Sequence, residues 1–173
     1  MTLSMYNSSV PALKRMLSSL ADILGKSAEH AASKKIDPGV FINARLFPDM
    51  FPLSRQIQIV TDQAKGCAAR LAGVDIPRYE DDETSFDELQ MRIAKTIAFL
   101  DSFKVHQIDG SEERDIVLQL HETKLEFKGK DYLHNWVLPN FYFHATTAYN
   151  ILRHNGVDIG KKDFLGAKAH TGG

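Results

Sequence analysis

Several features are scarce in this sequence, and each scarcity excludes a class of protein. Cys67 is the single cysteine, so the chain forms neither an intrachain disulfide nor a cluster of thiolates around zinc. No apolar run approaches the roughly 18 residues of a membrane span. Neither charge sign dominates, with 21 basic and 22 acidic residues, so neither a nucleic acid nor an anionic membrane is an expected partner. These absences predict a protein of the reducing cytoplasm.

The length and composition predict one domain with a substantial core. The chain has 173 residues, of which 43% are hydrophobic, which suits a single core and leaves too little for two. We expect residues 1–167 to form this domain. Residues 168–173 are expected to be a disordered tail.

Apolar residues at spacings of three and four predict a mainly all-α fold, an up-down four-helix bundle. The first helix is expected to start at Ser8 or Ser9 and to end near Lys35. The second is expected to start with Ser54 as its cap, the third with Ser85 and Glu88 as a capping box, and the fourth near Asp131 with a kink at Pro139. Alternating β-formers in 115–120 and 124–128 predict a small β-hairpin between helices three and four.

The connection 40–53 is apolar but holds two prolines, which argues against a long helix or a central strand. Its aromatic and sulfur side chains predict a packed lid over the bundle. Asp49 either faces a cavity beneath this lid or caps a turn.

Polar residues on the inner faces of helices two and four mark the candidate pocket, because bundles build their sites from facing helices. The predicted set is Gln56, Gln63, Asn140 and His144, with Tyr149 near the edge and Asp49 in the lid. His144 is expected to be a hydrogen-bonded inner histidine whose partner is Asn140, Gln63 or Tyr149. Cys67 lies on an apolar stripe and is expected to be a core residue.

Four segments carry a resemblance that covers nearly the whole chain: residues 140–156 with LRHNGV, and the stretches RLFPDMFPL, QAKGCAARLAG and GKKDFLG. Together they resemble an uncharacterised family of the DinB/YfiT-like helical-bundle superfamily. The resemblance implies a metalloenzyme ancestry, in which one histidine from helix two and two from helix four hold a divalent metal, and some members are thiol-dependent transferases or isomerases.

Carried onto this chain, the resemblance places His144 at the second ligand position of helix four. The first position falls on Asn140 and the helix-two position near Gln63. One imidazole with two carboxamides is a poor donor set for zinc or nickel. No cofactor is therefore predicted, and His144 is the one residue expected to bind a metal if any is held.

Three functional hypotheses follow. The chain is a binding protein for a small apolar or amphipathic molecule, with the polar site around His144 as its pocket. Alternatively it is a structural module whose homodimer forms through Phe143 and Trp136. The third hypothesis is a metal-dependent or thiol-dependent transferase or hydrolase of the superfamily.

Overall fold

The computed structural model of the chain describes residues 4–166. The predicted fold class is confirmed: the molecule is a four-helix bundle with a small hairpin before its last long helix. The helices and strands, in chain order, are α1 (Met5–Lys34), α2 (Pro38–Ile42), α3 (Leu53–Ala72), α4 (Phe86–Asp101), α5 (Val105–Ile108), β1 (Asp115–Leu120), β2 (Thr123–Lys128), α6 (Gly129–Asp131), a π-helical segment (Tyr132–Val137), α7 (Leu138–His154) and α8 (Lys161–Leu165). The predicted tail lies outside the described residues.

The four long helices enclose the core. They are α1, α3, α4 and α7, which correspond to the predicted helices one to four. Helix α3 packs most extensively against α7, α1 packs against α4, and α3 also contacts α4. The apolar stripes predicted from periodicity are buried in these contacts, with Leu13, Ile57, Leu89 and Phe141 at 0% exposure. Within residues 4–166 no helix combines the length and the apolar character needed to span a bilayer.

Two predicted helix starts are wrong by a few residues. Helix α1 begins one turn earlier than expected, because the hydroxyl of Ser4 accepts a hydrogen bond from the backbone N–H of Asn7 at 3.0 Å. Helix α3 begins at Leu53 after Pro52, without a side-chain cap, so Ser54 is not its cap. The capping box of Ser85 and Glu88 on α4 is present as predicted.

The connection 40–53 is only partly the packed lid that was predicted. The side chain of Asp37 caps α2, which places Phe41 in the core at 2% exposure. By contrast, Phe47 is 63% exposed and Phe51 is 53% exposed. The second half of the connection therefore presents its aromatic rings to solvent, and the prediction of a lid fails there.

The predicted hairpin is present, and it packs against the bundle. Its strands pair antiparallel from Asp115 opposite Lys128 to Leu120 opposite Thr123. Ile116 and Leu118, on one face of β1, are each 4% exposed and join the core. A two-stranded ribbon is marginal alone, so this burial stabilises it.

The last long helix is less regular than predicted. A π-helical segment precedes α7, and the N–H of Leu138 donates to the carbonyl of Leu133, five residues back. Pro139 follows at once, and its ring nitrogen has no hydrogen to donate to Asn135. The structure thus has a π-helical segment just before Pro139, the residue at which a kink was predicted.

Candidate functional site

The centre of the candidate site is a hydrogen bond between two of the predicted residues. Nδ1 of His144 on α7 lies 2.7 Å from Oε1 of Gln56 on α3. The side chain of Gln56 is buried, and its Nε2 donates to the backbone carbonyl of Phe51 at 3.0 Å. Because the amide nitrogen is committed to Phe51, Oε1 is left as the acceptor, and Nδ1 of His144 carries the hydrogen.

This arrangement keeps the imidazole of His144 neutral with one free nitrogen. Burial lowers the pKa of His144, and the positive charge of Arg55 lowers it further. In the neutral ring the hydrogen sits on Nδ1, so Nε2 holds an unshared lone pair. Among the side chains of residues 4–166, none hydrogen-bonds to Nε2. Nε2 of His144 can therefore accept a hydrogen bond or act as a base.

One aromatic ring contacts this imidazole, and a cation lies close enough to affect its pKa. The ring of Phe143 meets the ring of His144 edge to face at 5.1 Å between centroids. The guanidinium of Arg55 lies 6.0 Å from the ring centroid of Phe51 and pairs with Asp81. The ring of Phe143 is more than half exposed, so the polar pair has an apolar neighbour that is open to solvent.

The other predicted residues do not join His144. Nδ2 of Asn140 donates to the carbonyl of Trp136 at 2.7 Å, one turn back on the same helix. Gln63 is half-buried, and none of the described residues hydrogen-bonds to its side chain. Tyr149 stacks edge to face on Phe164 at 5.7 Å. The partner of His144 is thus Gln56, and the expectation of Asn140, Gln63 or Tyr149 as that partner is wrong.

Asp49 is exposed and lies in the second half of the connection 40–53. It makes no side-chain hydrogen bond or ion pair with the described residues. No contact therefore supports Asp49 as a pocket residue, because this half of the connection 40–53 is exposed and does not cover the bundle.

The donor set does not fit a divalent metal. Within residues 4–166 no three side chains of His, Cys, Asp or Glu come close enough together to hold an ion. Near His144 the two amides already have backbone partners, Gln56 with Phe51 and Asn140 with Trp136. Oε1 of Gln56 is also occupied, because it lies 2.7 Å from Nδ1 of His144, and carboxamide oxygens are poor ligands for zinc or nickel. The reactive group that these side chains offer is therefore the imidazole of His144.

Cys67 does not contribute a nucleophile. The residue is fully buried in α3, and burial raises the pKa of its thiol to about 12. A thiol with this pKa is protonated at neutral pH and unreactive. Its predicted role as a core residue agrees with this burial.

A second polar cluster lies between α3 and α4, where the sequence analysis assigned no site. Arg92 on α4 has a side chain only 2% exposed, and it pairs with Asp62 at 2.9 Å, Asp81 at 3.1 Å and Glu83 at 2.9 Å. Its Nε also donates to the hydroxyl of Thr61 at 2.7 Å. One buried guanidinium therefore holds the acidic loop 76–84 against the bundle.

Tyr79 completes this cluster from the same loop. Its ring centroid lies 3.8 Å from Nζ of Lys65, 4.1 Å from Nζ of Lys95 and 5.3 Å from Cζ of Arg92. Burial raises the pKa of the Tyr79 phenol. One signal in the sequence could have revealed the cluster: Arg92 stands next to Ile93 on the apolar face of α4, and a buried arginine requires acidic partners.

Comparison with known proteins gives the family of this chain. The chain is similar to a solved structure described as a DinB family member protein from Shewanella denitrificans, with a TM-score of 0.86 and 38% sequence identity over 97% of this chain and 95% of that chain. Residues 5–165 match the family described as Domain of unknown function (DUF1993), and the chain belongs to that family. No curated protein matches it.

Proposed function

We propose that this protein binds a small amphipathic molecule at His144. The observation that carries the proposal is the 2.7 Å hydrogen bond from Nδ1 of His144 to Gln56, which leaves Nε2 as an acceptor. A ligand with an O–H or N–H donor satisfies Nε2. An apolar body on that ligand covers the exposed rings of Phe51 and Phe143.

The proposal specifies the chemistry of the ligand. Because the neutral imidazole offers only a lone pair, the ligand is a donor at this point and not an acceptor. The positive charge of Arg55 disfavours a cationic ligand. Neutral phenols and alcohols with a short apolar group meet both requirements. A reducing, cytoplasmic location accords with the single, buried Cys67.

Two probes that differ by one hydrogen-bond donor test the proposal. 4-Propylphenol carries an O–H, and 4-propylanisole has the same apolar body with the oxygen methylated. We expect saturable shifts in the amide resonances of Phe143 and Gln56 with the phenol and much weaker shifts with the anisole. Replacing His144→Phe, which keeps an aromatic ring and removes the acceptor, is expected to abolish the preference. Equal binding of both probes to the wild type would refute the proposal.

The second candidate function is a thiol-dependent transferase in which Nε2 of His144 takes the proton of a substrate thiol. The observation in its favour is the neutral, open imidazole, which suits a general base. The candidate predicts conjugation of a low-molecular-weight thiol with an electrophile such as 1-chloro-2,4-dinitrobenzene, lost in His144→Gln. A rate equal to the uncatalysed reaction would exclude this activity for these substrates.

We further propose that the protein forms a homodimer through α7. Phe143 is 58% exposed on this helix, and aromatic residues are enriched at protein–protein interfaces. Trp136, the other residue considered for this surface, is half-buried and packs on Phe127 at 5.9 Å. The proposed dimer surface is therefore centred on Phe143, and a second copy of the chain and the small molecule compete for this ring.

A further inference from the structure

A cationic cleft on α3 is separate from the site at His144. It lies between α3 and the loop that follows it, has a volume of about 310 Å³, and includes Lys65, Arg70, Arg78 and Tyr79 in its walls. Gln56 and Arg70 are 14 positions apart on α3, so at 1.5 Å per residue Arg70 lies about 21 Å along the helix from the His144 pair.

Arg70 is the main feature of the cleft, because its guanidinium is held in place by a neutral group. Nη1 of Arg70 donates to the phenol oxygen of Tyr132 at 3.0 Å, and Tyr132 is fully buried. A guanidinium has five donor hydrogens, and this bond uses one of them. Within residues 4–166 Arg70 has no acidic partner.

Gly66 makes this position of Arg70 possible. A Cβ at residue 66 would lie only 2.5 Å from Nη1 of Arg70. A residue other than glycine at this position would therefore displace the guanidinium of Arg70. The arginine is thus fixed at the cleft wall, and a pre-positioned guanidinium loses little conformational entropy when it binds an anion.

The other charges in the cleft add to a positive balance. Asp62 is the one carboxylate in the wall, and it is already bound by Lys65 at 2.8 Å and by Arg92 at 2.9 Å. Arg78 pairs with Glu80, but both side chains are exposed, so this pair exchanges readily with another anion. The cleft therefore has donors for an anion and no free carboxylate to repel it.

We propose that this cleft binds the phosphate group of a small phosphomonoester, with Arg70 as the principal ligand and Arg78 as a second one. Guanidinium groups match phosphate oxygens in pairs and are the preferred donors for them. Ile76 and Pro77 form the apolar part of the wall, and they lie against the organic group of the ester. The proposal is independent of the function assigned to His144.

Three probes distinguish binding of the phosphate group from the contribution of the organic group. They are phenyl phosphate, inorganic phosphate and phenol. We expect the amide of Gly66 and the Nε–H of Arg70 to show saturable NMR shifts with both phosphates, stronger binding of phenyl phosphate, and no saturation with phenol. Shifts that sodium chloride reproduces at the same ionic strength, or shifts that do not saturate with either phosphate, would overturn the proposal.

Two variants and a control connect the binding to the arginines. Arg70→Gln is expected to weaken phenyl phosphate binding about tenfold, the equivalent of one charge-assisted hydrogen bond. Since Arg70→Gln also removes the partner of Tyr132, the exposed Arg78→Gln provides a test that leaves the core intact, and it is expected to weaken binding about threefold. Arg153→Gln, at the far end of α7, serves as the control. Unchanged affinity in both cleft variants would overturn the proposal.

Discussion

At the scale of single residues, the site depends on one buried amide with two hydrogen-bond partners. Helical periodicity predicted that His144 and Gln56 both face inward; Gln56 is buried, and His144 is half-buried and hydrogen-bonded to it. Periodicity did not identify them as partners, because the pairing depends on the rotation and relative shift of α3 and α7. The rotation and shift are set by side-chain packing between the two helices. They cannot be read from the spacing of apolar residues within either helix.

Removing the amide tests its structural role. Gln56→Leu keeps the approximate volume but leaves the carbonyl of Phe51 and Nδ1 of His144 without their partner. We expect a loss of about 2 kcal/mol in the free energy of unfolding, the cost of buried polar groups without hydrogen bonds. Urea denaturation measures this change.

Gln63→Leu is the matched control for this experiment, because Gln63 lies on the same helix and its side chain makes no hydrogen bond with the described residues. Its expected change is within about 0.5 kcal/mol. Equal losses in the two variants would contradict the role given to Gln56.

The titration of His144 gives a pH-dependent contribution to stability. The pKa of the folded state is lowered from the ordinary value of 6.5, so the unfolded chain binds the proton first as the pH falls. The folded protein is therefore destabilised as the pH drops from about 6.5 through the lower folded pKa. We expect the wild type to lose more stability than His144→Gln between neutral and mildly acidic pH. Parallel stability curves would contradict the lowered pKa.

At the scale of elements, the sequence predicted well those features that depend on interactions between residues close together in the chain. Ser85 and Glu88 identified the start of α4 because a capping box is formed within four residues. Arg92 was not identified as the partner of the loop 76–84, because the contact joins residues that are distant in the sequence. The π-helical segment was missed for a similar reason, since its widened turn is not specified by the spacing of apolar residues.

Replacing the buried arginine tests the attachment of this loop. Arg92→Met leaves Asp62, Asp81 and Glu83 without their shared cation, so we expect a loss of roughly 3 kcal/mol in stability. Hydrogen exchange at the amides of residues 79–83 is expected to accelerate more than exchange in α1.

The control is Arg153→Met, because Arg153 and Asp158 form an exposed pair at 3.7 Å. Its expected effect is within about 0.5 kcal/mol. If Arg92→Met cost no more than this control and left loop exchange unchanged, the loop would be held by other contacts.

At the scale of the whole molecule, the fold was predictable because four amphipathic helices with connections of moderate length admit few other arrangements. The proposed homodimer is a property of the surface. Sedimentation velocity at micromolar concentrations is expected to show a dimer for the wild type and a monomer for Phe143→Asp.

Val117→Asp, on the hairpin, is the control for the dimer experiment, because Val117 is 52% exposed and lies outside the proposed surface. It is expected to remain dimeric. A wild type that sediments as a monomer would contradict the dimer, and so would a Phe143→Asp variant that sediments as a dimer.

The protonation pattern of His144 tests the central claim most directly. A long-range proton–nitrogen correlation spectrum at neutral pH distinguishes the two nitrogens of each imidazole. The account predicts that Nδ1 of His144 carries the hydrogen and that Nε2 is unprotonated. A hydrogen on Nε2, or rapid averaging between the two tautomers, would contradict the hydrogen bond to Gln56 and with it the proposed acceptor site.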